Sequence, residues 1–192
     1  MSRDYEFRPD PEGSGNFDKL LLSQGQRFSL VRWLLFGALW LVALLVQDVM
    51  VCDVDIYGAG MDLVPCVIIM ITSLQGVESG CLFALITTLL YCFSGSAPGP
   101  YVLPMITILA MLAAIFRQAC LRKGFFSILL STGVGLLCYE LLLFFIGLFL
   151  RYTTWQRLGA MALTALLSLL AVPVAYPIAR AIGKIGGQSW NE

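Results

Sequence analysis

Residues 63–80 read LVPCVIIMITSLQGVESG, and this stretch decides how many times the chain crosses a lipid bilayer. Its apolar part, residues 63–74, is shorter than the roughly 20 residues that a helix needs to span the hydrocarbon core. The polar residues 75–80, which include two glycines and a glutamate, then separate it from the next apolar stretch. The polar segment has two interpretations: it is the turn of a tight hairpin between two short helices, or the centre of one long helix.

The composition of the whole chain is that of a multi-pass membrane protein. Of its 192 residues, 59% are hydrophobic and 12% are charged, whereas an ordinary soluble domain is about 45–50% apolar and about 25% charged. The mean hydropathy is +0.85. These values exclude a soluble globular enzyme and a disordered chain. The 12 basic residues are balanced by 12 acidic residues, so no excess of positive charge indicates a nucleic-acid partner.

The residue types present also limit the chemistry. The chain has no histidine, which removes the commonest metal ligand and the usual general base at neutral pH. Its six cysteines form no Cys-x-x-Cys pair, and we expect them to be free thiols. Because the sequence also shows no metal or phosphate motif, it predicts neither an enzyme nor a bound cofactor.

Loop charges decide between the two interpretations of residues 75–80, because Lys and Arg concentrate in cytoplasmic loops. A hairpin gives six spans with both chain ends in the cytoplasm, and it places ten Lys and Arg residues inside and two, Arg151 and Arg157, outside. One long helix gives five spans and a distribution of seven against five. We therefore expect an all-α integral membrane protein with six transmembrane helices. The predicted spans are residues 28–50, 56–75, 76–93, 101–116, 125–150 and 158–182.

The remaining parts of the chain are predicted tails. Residues 1–27 form a cytoplasmic N-terminal tail, residues 28–184 form the six-helix transmembrane domain, and residues 185–192 form a cytoplasmic C-terminal tail. Pro173 and Pro177 fall in the last span and predict a bend there, because proline removes a backbone hydrogen bond.

Glu140 is the main departure from the apolar pattern. It lies well inside the fifth span, about 22 Å from Phe125 along a helix. One interpretation is a functional carboxyl group that serves a substrate, a proton or a partner's transmembrane helix. The other is a protonated glutamic acid that donates a hydrogen bond to a neighbouring span. The candidate acceptors are Thr87, Thr88, Ser168 and Tyr176.

Asp62 stands directly before the apolar residues 63–74. We expect it to cap the second helix by accepting a hydrogen bond from the Val64 N–H. Pro65 would then lie in the first turn, where its missing N–H leaves no bond unmade.

Several small and charged residues mark the turns between spans. Gly76 and Gly80 are spaced to let two helix backbones approach closely, or else they form the hairpin turn itself. Glu78 lies in the same segment and is expected to reach cytoplasmic water. Pro98 and Gly99 belong to a predicted loop, residues 94–100.

A basic group follows the fourth predicted span. It consists of Arg117, Arg122 and Lys123. We expect these side chains to contact cytoplasmic partners or anionic lipid.

The order of these features resembles the MreD family of rod shape-determining proteins, over residues 28–184. The matching features are the second-span opening Met61-Asp62-Leu63, the inter-span Gly76 and Gly80, the third-span residues 81–95, the loop with Pro98 and Gly99, the basic break from Arg117 to Lys123 and the closing residues 173–180. The sequence departs from the family in the third span, where Ala84 and Thr88 replace glycines and Cys92 replaces an aspartate. The role of that aspartate in the family is therefore not assigned to any residue of this chain.

The resemblance implies a non-enzymatic scaffold in the bacterial cytoplasmic membrane that organises lateral peptidoglycan synthesis and cell shape. Its implied partners are an MreC-like membrane protein with a single span, and through it other proteins of the elongation machinery. The implied fold is similar to the substrate-binding S components of energy-coupling-factor vitamin transporters, so such a subunit is the alternative function. S components usually carry an Ala-x-x-x-Ala patch on the first helix, whereas Ala38 and Ala43 are five residues apart here.

Overall fold

The computed structural model describes residues 24–51, 59–120 and 124–184. These residues contain seven α-helices. They are α1 (Gln24–Val46), α2 (Leu63–Gln75), α3 (Val77–Ser94), α4 (Val102–Cys120), α5 (Phe125–Phe149), α6 (Leu158–Leu169) and α7 (Ala171–Gly183). A π-helical turn (Gln47–Val51) follows α1, and a short 3-10 turn (Trp155–Arg157) precedes α6. The predicted all-α class is confirmed. Most of both predicted tails lies outside the described residues.

Five helical segments within the described ranges are long and apolar enough to cross a membrane. They are Phe28–Val49, Val77–Ser94, Val102–Cys120, Phe125–Phe149 and Trp155–Gly183. Their length and composition are those of a multi-pass membrane protein. Helix α2 is the exception, because its 13 residues extend over about 20 Å, against about 30 Å for a bilayer core.

Helix α2 lies at the centre of the bundle. Each of its first 12 residues, 63–74, is buried, and α2 contacts all six of the other described helices. A helix that is apolar on every side is stable when it is surrounded in this way. The short second helix is therefore the core around which the longer helices pack.

The polar segment after α2 is a hairpin turn, as the loop charges favoured. Gly76 separates α2 from α3 with a φ of +93°, a conformation that favours glycine, and its N–H donates to the Thr72 carbonyl over 3.1 Å. Gly80 lies so close to α2 that an added Cβ would stand 2.7 Å from the same oxygen. One glycine thus forms the turn and the other lets the two helices close, while the single long helix is excluded.

The last predicted span consists of two helices. Helix α6 ends at Leu169 and α7 begins at Ala171, with a turn at Leu170 between them. Pro173 lies in the first turn of α7, where it has no N–H to donate to the Leu169 carbonyl. The interruption is a single residue long, because Leu170 keeps helical backbone angles (φ −64°, ψ −20°). The predicted bend itself stays a prediction. Pro177 lies inside α7 without ending it.

Candidate functional site

The most unusual polar feature of the bundle is a pair of neighbouring carboxyl groups, of which Glu140 is buried and Asp62 is partly buried. Asp62 stands at the start of α2, and Glu140 comes from the middle of α5 with only 6% of its surface exposed. The two carboxyl groups lie within hydrogen-bonding reach of each other. Glu140 is nine residues before the end of α5, so the pair lies about 14 Å below that end of the helix.

A hydrogen bond between two carboxyl groups fixes their protonation. An ionised carboxylate only accepts hydrogen bonds, so one member of the pair must carry a proton to donate. The hydrogen-bonded pair therefore has one negative charge at most. Two charges at this position would repel each other without water to screen them.

The partners predicted for Glu140 are wrong. The hydroxyl of Thr87 donates within its own helix to the Phe83 carbonyl, at 2.7 Å. Ser168 likewise donates to the Thr164 carbonyl, at 2.8 Å. The Thr88 hydroxyl has no partner in the described structure, and the Tyr176 ring packs against Phe125 with its centroid 5.0 Å away. The actual partner, Asp62, reaches Glu140 because the short α2 begins deep inside the bundle.

The predicted capping role of Asp62 is also wrong, because its side chain makes no cap hydrogen bond. The Val64 N–H donates instead to the side-chain oxygen of Gln47, at 2.8 Å. The N–H of Asp62 itself donates to the Ser168 hydroxyl, at 2.7 Å. Side chains from the turn after α1 and from α6 thus satisfy the first backbone groups of α2, which leaves the Asp62 carboxyl free to face Glu140.

A chain of hydrogen bonds leads from the start of α2 to the loop between α3 and α4. The Gln47 amide donates to the Tyr91 hydroxyl at 3.3 Å, and that hydroxyl donates to the Ser96 carbonyl at 3.4 Å. The Ser96 hydroxyl donates to the carboxylate of Asp48 at 2.8 Å. Close to the carboxyl pair, the Tyr139 hydroxyl is buried without a hydrogen-bond partner in the described structure. This end of the bundle is consequently polar.

A largely open cavity of about 240 Å³ lies beside Glu140, between the last turns of α5 and the first turns of α6. Glu140 forms its buried side, and the exposed Arg157 lies on the same lining. The remaining lining residues include two threonines, Thr153 and Thr164. The others are apolar or small, namely Leu143, Phe144, Gly147, Ala160 and Met161. The position of the cavity is that of a small-molecule site between helices.

Three residues that the sequence analysis singled out lie apart from this site, namely Glu78, Pro98 and Gly99. Glu78 is exposed in the first turn of α3, and its contact with cytoplasmic water stays a prediction. Pro98 and Gly99 lie in the connection between α3 and α4, as predicted, and Gly99 packs against the Tyr101 ring. Neither region contributes to the carboxyl pair.

The basic group is only partly described. Arg117 lies in the last turn of α4 rather than in a loop, because that helix continues to Cys120. Its guanidinium donates to the Ser73 carbonyl near the end of α2, where a cation is electrostatically favoured. Arg122 and Lys123 lie outside the described residues. A contact of this group with partners or lipid stays a prediction.

Several residues of the site were missed because their partners are far away in the sequence. Gln47, Tyr91 and Arg157 carried no local signal beyond being polar groups near predicted helix ends. The five described cysteines are free thiols, as expected, and Cys52 lies outside the described residues. Within the described ranges, no group of three or more Cys, Asp or Glu side chains is placed to hold a metal ion.

No family model, no curated protein and no solved structure matches this chain. The fold and the composition define its class, a helical multi-pass membrane protein. The resemblance to MreD therefore rests on the sequence features alone.

Proposed function

We propose that this protein is a non-enzymatic scaffold of the bacterial cell-elongation machinery, with the role that its resemblance to MreD implies. In this proposal both chain ends are cytoplasmic and the chain crosses the cytoplasmic membrane six times. Helix α2, although shorter than the bilayer core, returns the chain through the bundle between α1 and α3. The ten-to-two distribution of Lys and Arg supports this orientation. The protein acts by presenting helix surfaces to an MreC-like single-span membrane protein and to other elongation proteins.

The observation that carries the proposal is the unequal packing of the long helices. In the most apolar part of Trp155–Gly183, which contains α6 and α7, 17% of the residues are buried, against 44% in α5. Trp155 and Leu158 are exposed at the start of this segment. Further along it, four exposed apolar side chains recur every four residues and form one stripe: Leu166, Leu170, Val174 and Ile178. A partner helix can pack along such a stripe by van der Waals contact.

Site-specific photo-crosslinking in cells tests this proposal. A photoreactive amino acid at Leu166 or Val174 is expected to capture the MreC-like protein, identified by mass spectrometry. The same amino acid at Leu141, which is an exposed leucine on α5, serves as the matched control and is expected to capture lipid only. The proposal fails if no elongation protein is captured from the α6–α7 stripe.

A second candidate, the substrate-binding subunit of a vitamin or metabolite transporter, is favoured by the cavity beside Glu140. Such a subunit would co-purify with a pair of ATPases and with a coupling membrane protein. Purification from native membranes separates the two candidates, because the scaffold would co-purify with the single-span partner instead.

A further inference from the structure

The connection between α5 and α6, residues 150–157, exposes both aromatic and basic side chains, and we call it the aromatic–basic loop. The exposed fraction is 83% for Tyr152 and 66% for Trp155. Arg151 and Arg157 are exposed as well. Tyr and Trp are enriched at the two surfaces of a bilayer, where their rings lie among the lipid headgroups. The composition of the loop is therefore that of a segment in contact with headgroups.

The length of α5 places the loop at that depth. Helix α5 has 25 residues and extends over about 37 Å, whereas the hydrocarbon core of a bilayer is about 30 Å thick. A helix of this length that crosses the core has its ends among the headgroups. The aromatic–basic loop follows directly after Phe149, the last residue of α5.

The backbone of the loop is fixed by local hydrogen bonds. The N–H groups of Tyr152 and Thr153 both donate to the Gly147 carbonyl, at 2.8 Å and 3.3 Å. The Trp155 ring packs edge-on against the Phe144 ring, with 5.9 Å between the centroids. The exposed side chains are thus presented from an ordered turn.

The positive charge of the loop is not neutralised within the protein. Neither guanidinium, of Arg151 or of Arg157, makes a hydrogen bond or ion pair among the described residues, and residues 141–191 contain no Asp or Glu. A guanidinium binds phosphate oxygens through two parallel hydrogen bonds. At the depth of the headgroups, the complementary group is the phosphate of an anionic lipid.

The backbone conformation of Arg151 is a separate indication that its side chain is used. Its φ is 61°, in the left-handed region that glycine adopts without strain. Strained conformations of this kind are concentrated at functional positions. The strain thus occurs at one of the two residues that carry the charge of the loop.

We propose that the aromatic–basic loop binds the headgroups of anionic phospholipids. Arg151 and Arg157 contact the phosphates, and Tyr152 and Trp155 lie at the boundary with the acyl chains. This surface needs no enclosed pocket, because the headgroup layer contacts any side chain at its depth. The inference depends on the membrane class of the fold and not on the scaffold role, so the two proposals fail separately.

Photo-crosslinking to lipid tests this assignment. The full-length protein carries a photoreactive amino acid at Tyr152 and is reconstituted in vesicles made of equal amounts of phosphatidylcholine and phosphatidylglycerol. Mass spectrometry then counts the adducts of each lipid. We expect at least about fivefold more phosphatidylglycerol than phosphatidylcholine adducts, because each basic side chain near an anionic surface favours it by about that factor. Equal numbers of the two adducts would overturn the proposal.

Phe93 is the matched control position. It is 78% exposed near the end of α3, which lies at the same end of the bundle as the end of α5, and the loop that follows it, residues 94–100, is uncharged. The photoreactive amino acid at Phe93 is expected to capture the two lipids equally. The same enrichment at both positions would show that the aromatic–basic loop has no preference of its own.

Variants tie the preference to the two arginines. Arg151→Gln combined with Arg157→Gln is expected to lower the adduct ratio at Tyr152 to the value at Phe93. Arg180→Gln combined with Lys184→Gln removes two exposed cations near the end of α7, at the opposite end of the bundle, and should leave the ratio unchanged. The assignment is wrong if the first pair keeps the enrichment or if the second pair removes it.

A further variant separates lipid binding from folding. Arg151→Gly removes one of the two charges and also relieves the strain at this position. It is expected to lower the adduct ratio while the protein unfolds at the same or a higher temperature, so misfolding does not explain the loss. An unchanged ratio would contradict the role given to Arg151.

The competing occupant of the loop is another protein. The same photoreactive amino acid at Tyr152 is therefore also activated in living cells. We expect lipid adducts there as well, and a protein captured at Tyr152 in place of lipid would contradict the proposal.

Discussion

The two ends of α2 are both buried, yet their backbone groups are satisfied in opposite ways. At its C-terminal end the chain turns at Gly76, and α3 packs directly on α2 through Gly80. At its N-terminal end the partners are Gln47 and Ser168, which come from distant parts of the chain. The first end is closed mainly by local sequence and close packing, with one long-range contact from Arg117 to the Ser73 carbonyl. The second end is closed by long-range polar contacts alone and borders a cavity.

This difference indicates where function is located in the bundle. The glycine end has no space for a ligand, because the two helix backbones are in contact. The Asp62 end combines the carboxyl pair, the Tyr139 hydroxyl, which has no partner among the described residues, and an opening between α5 and α6. Unsatisfied polar groups are tolerated where a site needs them.

The largest expected effect is at the glycine end. Gly80→Ala places a Cβ 2.7 Å from the Thr72 carbonyl oxygen and 2.9 Å from its Cα, so the hairpin must open. We expect a loss of about 3 kcal/mol in the free energy of unfolding, measured by thermal or denaturant unfolding in detergent. Gly37→Ala on α1, where an added Cβ meets nothing within 4 Å, is the matched control and should be neutral or slightly stabilising.

The carboxyl pair is the next most sensitive point. Asp62→Ala removes the partner of Glu140 and leaves a buried carboxyl without its hydrogen bond, at a cost of about 2 kcal/mol. Asp62→Asn retains a group that can donate and accept, and it should cost less than half as much. Equal losses in unfolding free energy for the two variants would show that the hydrogen bond between the side chains is not stabilising.

The backbone contact at the start of α2 is expected to contribute less. Ser168→Ala removes the acceptor of the Asp62 N–H and should destabilise the protein by about 1.5 kcal/mol. Ser79→Ala is the control, because that hydroxyl only donates to the Gln75 carbonyl in the preceding turn. A similar loss in both variants would remove the distinction between long-range and local contacts.

The smallest effect lies outside both ends of α2. Arg151 follows α5 with a φ of 61°, which is a strained conformation for a residue with a side chain. Arg151→Gly is expected to stabilise the protein by about 0.5–1 kcal/mol. Arg151→Ala removes the same charge without relieving the strain, so a comparable gain in its melting temperature would contradict this explanation.

The same contrast explains what the sequence predicted. The hairpin at Gly76 was predicted correctly from the distribution of Lys and Arg along the chain, and the loop with Pro98 and Gly99 from its own residues. The five described cysteines are free thiols, as predicted. The pairing of Asp62 with Glu140 depends on where α2 starts and on how α5 passes it, and no local pattern contains that information. Glu140 was identified as unusual because a carboxyl group in an apolar helix needs a partner, but the partner itself was not predictable.

Two further predictions, for Arg117 and for the last span, were inaccurate. The sequence indicates the cause of each only in general terms. Arg117 was placed in a loop because charge usually ends a span, whereas the Ser73 carbonyl gives its guanidinium a partner inside the bundle. The last span was expected to bend at its prolines, yet the interruption falls at Leu170, three residues before Pro173. A proline therefore indicates reliably that a helix is disturbed, but it indicates the position of the disturbance less reliably.

The long-range contacts of Asp62 also set the order in which the protein is completed during translation. Asp62 leaves the ribosome 106 residues before Ser168, which accepts the hydrogen bond of its N–H, and well before Glu140. A nascent chain that has inserted only its first three helices therefore holds an unpaired aspartate and a central helix without most of its neighbours. Until the final helices are inserted, the insertion machinery or lipid headgroups must provide polar surroundings for that carboxyl group. The central helix of this protein is therefore synthesised early, and the packing around it is completed last.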